Sequence, residues 1–339
     1  MTETFALTAP FALARRKEDG ALGLVAGDQF RPLMAKELGA ADLNAFLAAP
    51  DWDRLAALAA ATDGDWAALE SVTLAAPVTP RQVIQAGANY RQHVIDLVAG
   101  GLTRDTDRTP EQARESAAAM MDDRKANGEA YFFIGLTTAL VGAEEPLVLP
   151  PYSEEHDWEL ELAVVIGAEA CRVSREDAWD HVAGYTIVND ITTRDLVFRK
   201  DMKEIGTDWF RAKNAPGFLP TGPYLVPARY ADGSDLGIRL TLNGEVMQDA
   251  RTDDLLFDIP ALIATASQTR PLLPGDVLLT GSPTGNGTHW KRYLRDGDVM
   301  VGSIEGLGAQ TVRCVAERGA NAAMVPARES SDVETGSRP

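Results

Sequence analysis

In the run Asp157-Trp158-Glu159-Leu160-Glu161-Leu162, acidic and apolar residues alternate. Side chains of an extended strand point to opposite faces in turn, so Glu159 and Glu161 share one face and Trp158, Leu160 and Leu162 the other. Taken alone, the hexamer describes a half-exposed strand with a solvated acidic face. The residues after Leu162 change that reading. Ala163-Val164-Val165-Ile166-Gly167 is apolar throughout, like a strand buried on both faces, and carboxylates at the mouth of such a strand need a counter-charge. A second strand-like run, Gly184-Tyr185-Thr186-Ile187-Val188, ends in Asn189-Asp190 and supplies a third carboxylate. Three carboxylates with no histidine or cysteine fixed beside them suit a hard cation: Mg2+ first, with Mn2+ or Ca2+ as alternatives.

Other residues could work beside such an ion. His93 lies in Asn89-Tyr90-Arg91-Gln92-His93-Val94-Ile95-Asp96. On a helical turn His93 and Asp96 are neighbours three apart, and a carboxylate there orients the ring and raises its basicity. Most of the four histidines (His93, His156, His181, His289) should be structural. Lys213 precedes Asn214-Ala215-Pro216-Gly217; its residues alone allow a solvated loop lysine as readily as an anion contact. The segment Thr280-Gly281-Ser282-Pro283-Thr284-Gly285-Asn286-Gly287 follows a strand-like run and could offer hydroxyls and backbone N-H groups to an anion. It lacks the Gly-Lys-Ser/Thr ending of a phosphate-binding loop, and an ordinary tight turn is the alternative.

The elements that must position these groups read as strands with a few helices. Short apolar runs bounded by turn residues, at Gln82 to Ala86, Leu160 to Ile166, Gly184 to Val188, Arg239 to Leu242 and Asp276 to Thr280, predict strands. Helices are expected at Ser174 to Val182, where Ser174 and Asp177 resemble a cap, and at Ile259 to Gln268. Residues 103–128 form a helical excursion, with Thr109 as cap, Pro110 at the first position and Gly128 as stop, and are expected to act either as a lid-like insertion near the pocket or as a surface helix that only lengthens a loop. Residues 1–77 read as a small N-terminal domain, with strand-like Phe11 to Ala14 and Gly23 to Ala26 and helical pieces across Ala40 to Ala61; residues 78–320 read as the catalytic domain and 321–339 as a polar tail.

Composition narrows the class. The 339 residues are 45% hydrophobic, enough for a large core, and carry a formal net charge of -18. That charge repels nucleic-acid phosphates, and no basic patch offsets it. No run reaches transmembrane length, and the apolar stretch Phe5 to Ala14 has its charges after it instead of before. Cys171 and Cys314 suggest neither a disulfide framework nor a zinc cluster. A cytoplasmic protein with no nucleic-acid or membrane partner is expected.

Several short motifs, in order, resemble the fumarylacetoacetate hydrolase family over roughly residues 80–315: Gly87-Ala88-Asn89-Tyr90 with His93, the Glu159/Glu161 pair, Asn189-Asp190-Ile191-Thr192 with Arg194-Asp195, Lys213 ahead of Pro220-Thr221-Gly222-Pro223, Leu242-Asn243-Gly244-Glu245 with Gln248, and Pro274-Gly275-Asp276 leading to Thr280-Gly281-Ser282-Pro283. The resemblance implies an α+β fold, a mixed β-sandwich roll of the family's C-terminal type, and a homodimer. It implies Glu159, Glu161 and Asp190 as metal ligands, His93 with Asp96 as the water-activating pair (the family commonly has a glutamate where Asp96 stands), and Lys213 as a contact to a substrate carboxylate or enolate. It also implies Asn89, Tyr90, Arg194, Thr280 and Gly281 as substrate contacts. Ile134 stands about where many relatives have a lysine, and Val197 where some hydrolases have a polar residue, which makes the expected pocket less polar.

The implied activity is metal-dependent hydrolysis of a carbon-carbon bond in a 1,3-dicarbonyl or acylpyruvate-type oxo-acid through a stabilised enolate. The same enolate would serve a decarboxylase, hydratase or isomerase of a 2-oxo acid, and a non-catalytic metal or ligand-binding protein is the alternative from another class.

Overall fold

The apolar runs become strands in the computed structural model, which describes residues 4–318 apart from Thr62. The tail expected over 321–339 lies outside the described residues. The fold is α+β. Leu160–Ile166 runs near the middle of an eight-stranded mixed sheet, antiparallel to Val182–Asn189 on one side and to Val277–Leu279 on the other. Val83–Gly87 pairs parallel to Val277–Leu279, and Tyr131–Gly135 closes that edge. A five-stranded sheet built on Gly237–Leu242 and Val299–Ile304 packs across the main core.

Leu160–Ile166 is buried along its whole length, as its unbroken apolar run predicts. Its even-numbered side chains, Leu160, Leu162, Val164 and Ile166, join the core between the two sheets. Ala163 and Val165 point the other way, into a second core with Leu13, Leu24, Phe46 and Leu55 from the N-terminal segment. That segment contributes its own five-stranded sheet and three short helices, Ala35–Leu38, Leu43–Leu47 and Trp52–Ala60; the first turns of the last two are capped by Asp42 and Asp51.

Two helical expectations need correcting. At Ser174 to Val182 the cap contact forms, with the Ser174 hydroxyl donating to Asp177 at 2.9 Å, but only a short 3-10 turn at Ala178–His181 follows before Val182 enters its strand. The excursion at 103–128 is in fact a hairpin of two helices, Arg91–Asp105 and Pro110–Asn127. Gly100 and Gly101 hide the first helix from pattern reading, since each disfavours helix by roughly 1 kcal/mol.

The hairpin is packed onto the protein: Val94, Ile95, Ala113, Ala117 and Met121 are buried in the main core. Met121→Ala should therefore lower unfolding free energy by about 2–5 kcal/mol in a denaturant titration. A change under half a kcal/mol would mean that the hairpin does not belong to the cooperative core. Among the described residues, no helix is long and apolar enough to cross a membrane.

Candidate active site

Strand register assembles the carboxylates. Leu160 lies opposite Asn189 and Glu161 opposite Val188, which sets Asp190 beside Glu159, its backbone N-H donating to the Glu159 carbonyl at 2.8 Å. Glu159, Glu161 and Asp190 each present an oxygen within 4.8 Å of the others, and all three are buried. The Gly281 N-H holds Glu161 at 2.7 Å. Gly281 has φ +96°, and a Cβ there would sit 3.0 Å from the Cβ of Asn89, so glycine is the residue that fits.

Two cations and a fourth carboxylate complete the cluster. The Lys213 ammonium, itself buried, donates to Glu159 at 2.6 Å, to the Asp190 carboxylate and to the Asp190 carbonyl at 3.3 Å. Its three donor positions are thereby taken. It lies over the faces of Phe133 and Trp209, 5.4 and 6.0 Å from the ring centroids. Arg194 forks between Asp157 and Glu159, at 2.6 Å to each. Asp157 is also held by the backbone N-H groups of Gly287 and Thr288, and Gln85 donates to Asp190 at 2.6 Å. Four buried carboxylates against two cations leave two uncompensated negative charges. One divalent cation would neutralise them, and an all-oxygen donor set suits a hard divalent ion.

The titration of these groups follows from that imbalance. Burial, reinforced by the neighbouring Asp190 charge, pushes the Glu161 carboxyl well above the usual carboxylate range. Burial likewise raises Asp190, to about 6, despite the opposing pull of Lys213. Burial acts on Glu159 too, but Arg194 and then Lys213 outweigh it and hold Glu159 below its usual value. The strained members are therefore Glu161 and Asp190, the pair without an adequate counter-charge.

His93 lies in the Arg91–Asp105 helix and lines a cleft of about 560 Å³ together with Arg194, Asn286 and Thr288. Among the described residues its ring makes no hydrogen bond. Burial lowers its pKa, against the pull of Glu159. Asp96 also lines the cleft, but its carboxylate accepts from Arg114 at 2.7 Å and Gln92 at 2.9 Å and makes no bond to His93.

Of the other residues singled out in the sequence, Asn89 spends its amide on backbone, donating to the carbonyls of Phe257 and Thr280 and accepting from the Phe257 N-H. The Thr280 hydroxyl donates to the Leu162 carbonyl at 2.9 Å. Tyr90 is fully buried with no partner for its hydroxyl. Pattern reading passed over Gln85, Asp157 and Asn286 as site residues. Asp157 alone carried a signal, as the first acid of the alternating run.

The family assignment rests on this site and on similarity to known proteins. A model of the fumarylacetoacetate (FAA) hydrolase C-terminal domain matches residues 82–315. The chain belongs to the fumarylacetoacetate hydrolase family. Within that family it is similar to a mitochondrial oxaloacetate tautomerase of Xenopus laevis, at 35% identity over 70% of this chain and 67% of the relative. It is also similar to a 2,4-didehydro-3-deoxy-L-rhamnonate hydrolase of a Sphingomonas species, at 41% identity over 54% of this chain and 64% of the relative. Among solved structures, maleylpyruvate hydrolase from Sphingobium in complex with manganese(II) and pyruvate superposes with a TM-score of 0.68 at 30% identity, covering 91% of this chain and all of that one. Family members are thus hydrolases, isomerases and tautomerases of small molecules, and this chain is a member of that enzyme family.

Proposed function

We propose that this protein is a divalent-metal-dependent enzyme that carries a small 2-oxo acid or 1,3-dicarbonyl through its enolate, and that hydrolytic carbon-carbon cleavage of an acylpyruvate-type substrate is its reaction. The observation that carries the reading is the buried negative charge left uncompensated directly behind Arg194 and Asn286, which line the cleft that an unbonded imidazole also lines. Glu159, Glu161 and Asp190 would hold Mg2+ or Mn2+, and the manganese-pyruvate complex of the similar hydrolase supports an ion of this kind. Such an ion, when bound, supplies Lewis-acid stabilisation of charge developing on the oxo-acid oxygens.

The chain's own residues do the rest. Arg194 and Lys213 fix the ligand carboxylates, so these need not reorganise as charge develops. His93, kept neutral by burial, takes a proton from a cleft water. The hydroxide adds to the distal carbonyl carbon, the carbon-carbon bond breaks with its electron pair passing into the enolate, and the proton on His93 returns to the enolate carbon. The products are a carboxylic acid and a 2-oxo acid.

A second reading, keto-enol isomerisation of a 2-oxo acid, is favoured by the placement of Asp96: Arg114 and Gln92 hold its carboxylate, which makes no bond to the His93 ring. Proton transfer between carbon and oxygen needs only a base in reach. Assaying benzoylpyruvate and oxaloacetate with Mn2+ and with chelator separates the two. Metal-dependent release of pyruvate from benzoylpyruvate is expected. Enol-to-keto conversion of oxaloacetate without cleavage of benzoylpyruvate would put the second reading first, and metal binding without any turnover would leave a binding protein.

A further inference from the structure

Resting on the oxo-acid reading, we infer that the site selects substrates whose distal substituent is apolar, an alkyl or aryl group, over those that end in a second carboxylate. One end of the cleft backs onto the carboxylates, where Arg194, Asn286 and Thr288 are bonded to Glu159 and Asp157. The large apolar side chains of the wall are Leu97, Tyr131, Val197, Phe198, Trp209 and Tyr293. Three of these are large, apolar and open to solvent: Leu97 at 60%, Tyr131 at 44% and Phe198 at 68% exposure.

Exposed apolar residues are ordinary when scattered. These three come from separate parts of the chain, the Arg91–Asp105 helix, the Tyr131–Gly135 strand and the loop after Arg194, and converge on the mouth of the cleft that holds His93. A converging apolar rim beside reactive groups marks a ligand surface. A chelating oxo acid held in front of Arg194 and Asn286 would extend its far end into this cleft.

The cleft is poorly equipped for a second carboxylate. Arg194 is already committed to Asp157 and Glu159. Arg104 lines the mouth but is exposed, where an ion pair is weakened by water and salt. Asp96 adds a carboxylate to the same wall.

The test compares benzoylpyruvate with an acylpyruvate of similar length ending in a carboxylate, using Mn2+-loaded enzyme. A kcat/KM roughly ten- to a hundredfold higher for benzoylpyruvate is expected, the range that differential apolar contacts supply. In the double variant Leu97→Ser, Phe198→Ser, whose sites are exposed enough to spare the fold, KM for benzoylpyruvate should rise about tenfold with kcat little changed. The carboxylate-ended substrate should be unaffected. Equal or reversed preference in the wild type, or a ratio that survives the double variant, overturns the inference while leaving the oxo-acid reading intact. Absence of turnover on every 2-oxo acid overturns both.

Discussion

Replacing His93 by alanine should cut hydrolytic turnover by on the order of 10²- to 10⁴-fold at unchanged metal occupancy, the usual worth of a positioned general base. The imidazole faces the cleft, and burial favours its neutral form. The pH dependence follows in sign. A histidine whose folded-state pKa is lowered stays neutral, and so stays a base, down to pH values below the ordinary imidazole range near 6.5. The acid limb of kcat/KM should therefore fall below that range in the wild type and be lost in His93→Ala. Asp96→Asn should be milder, because the Asp96 carboxylate serves Arg114 and Gln92 and makes no bond to the ring. Full turnover by His93→Ala with metal bound would remove the imidazole from the mechanism.

The second large effect is expected at the carboxylates, and its direction differs between neighbours. Glu161→Gln removes a charge that burial and Asp190 already disfavour, while the amide oxygen can still accept from Gly281. The metal-free variant should melt at the wild-type temperature or above it. Its metal affinity should nevertheless fall by at least about 100-fold, since even groups behind the ligands are worth 10–100-fold. Lys213→Met should do the reverse to stability. It strips Glu159 and Asp190 of a buried partner, and such a loss costs about 3–5 kcal/mol. Calorimetric titration with Mn2+ and thermal unfolding of both variants give the comparison; wild-type affinity in Glu161→Gln would sink the carboxylate site.

The sequence disclosed these carboxylates because strand chemistry is local. Alternation over Asp157 to Leu162 set the faces, and the apolar continuation showed that the strand had no wet side. The partners were harder to read for a physical reason. Gln85 reaches Asp190 across 105 positions of chain, and Asn286 reaches Glu159 across 127. No period or spacing encodes such contacts; sheet order makes them. Lys213 shows the same limit. Its position before a turn fits a solvated loop, whereas the fold turns its ammonium inward between two acids. Glycine had the opposite effect in the Arg91–Asp105 helix, where Gly100 and Gly101 interrupt a pattern that packing against Ala113 and Ala117 sustains.

The strand with a core on each side divides the molecule's freedom to change. Any substitution at an apolar position of Leu160–Ile166 alters one packed interior or the other, and Glu161 sits on that strand, its carboxylate held by the Gly281 N-H. The rim residues Leu97 and Phe198 are mostly exposed and belong to neither core. Drift in which molecule is accepted can therefore accumulate at the mouth without disturbing the chemistry at the base, so that one inherited reaction centre can serve successive substrates at little cost to the scaffold.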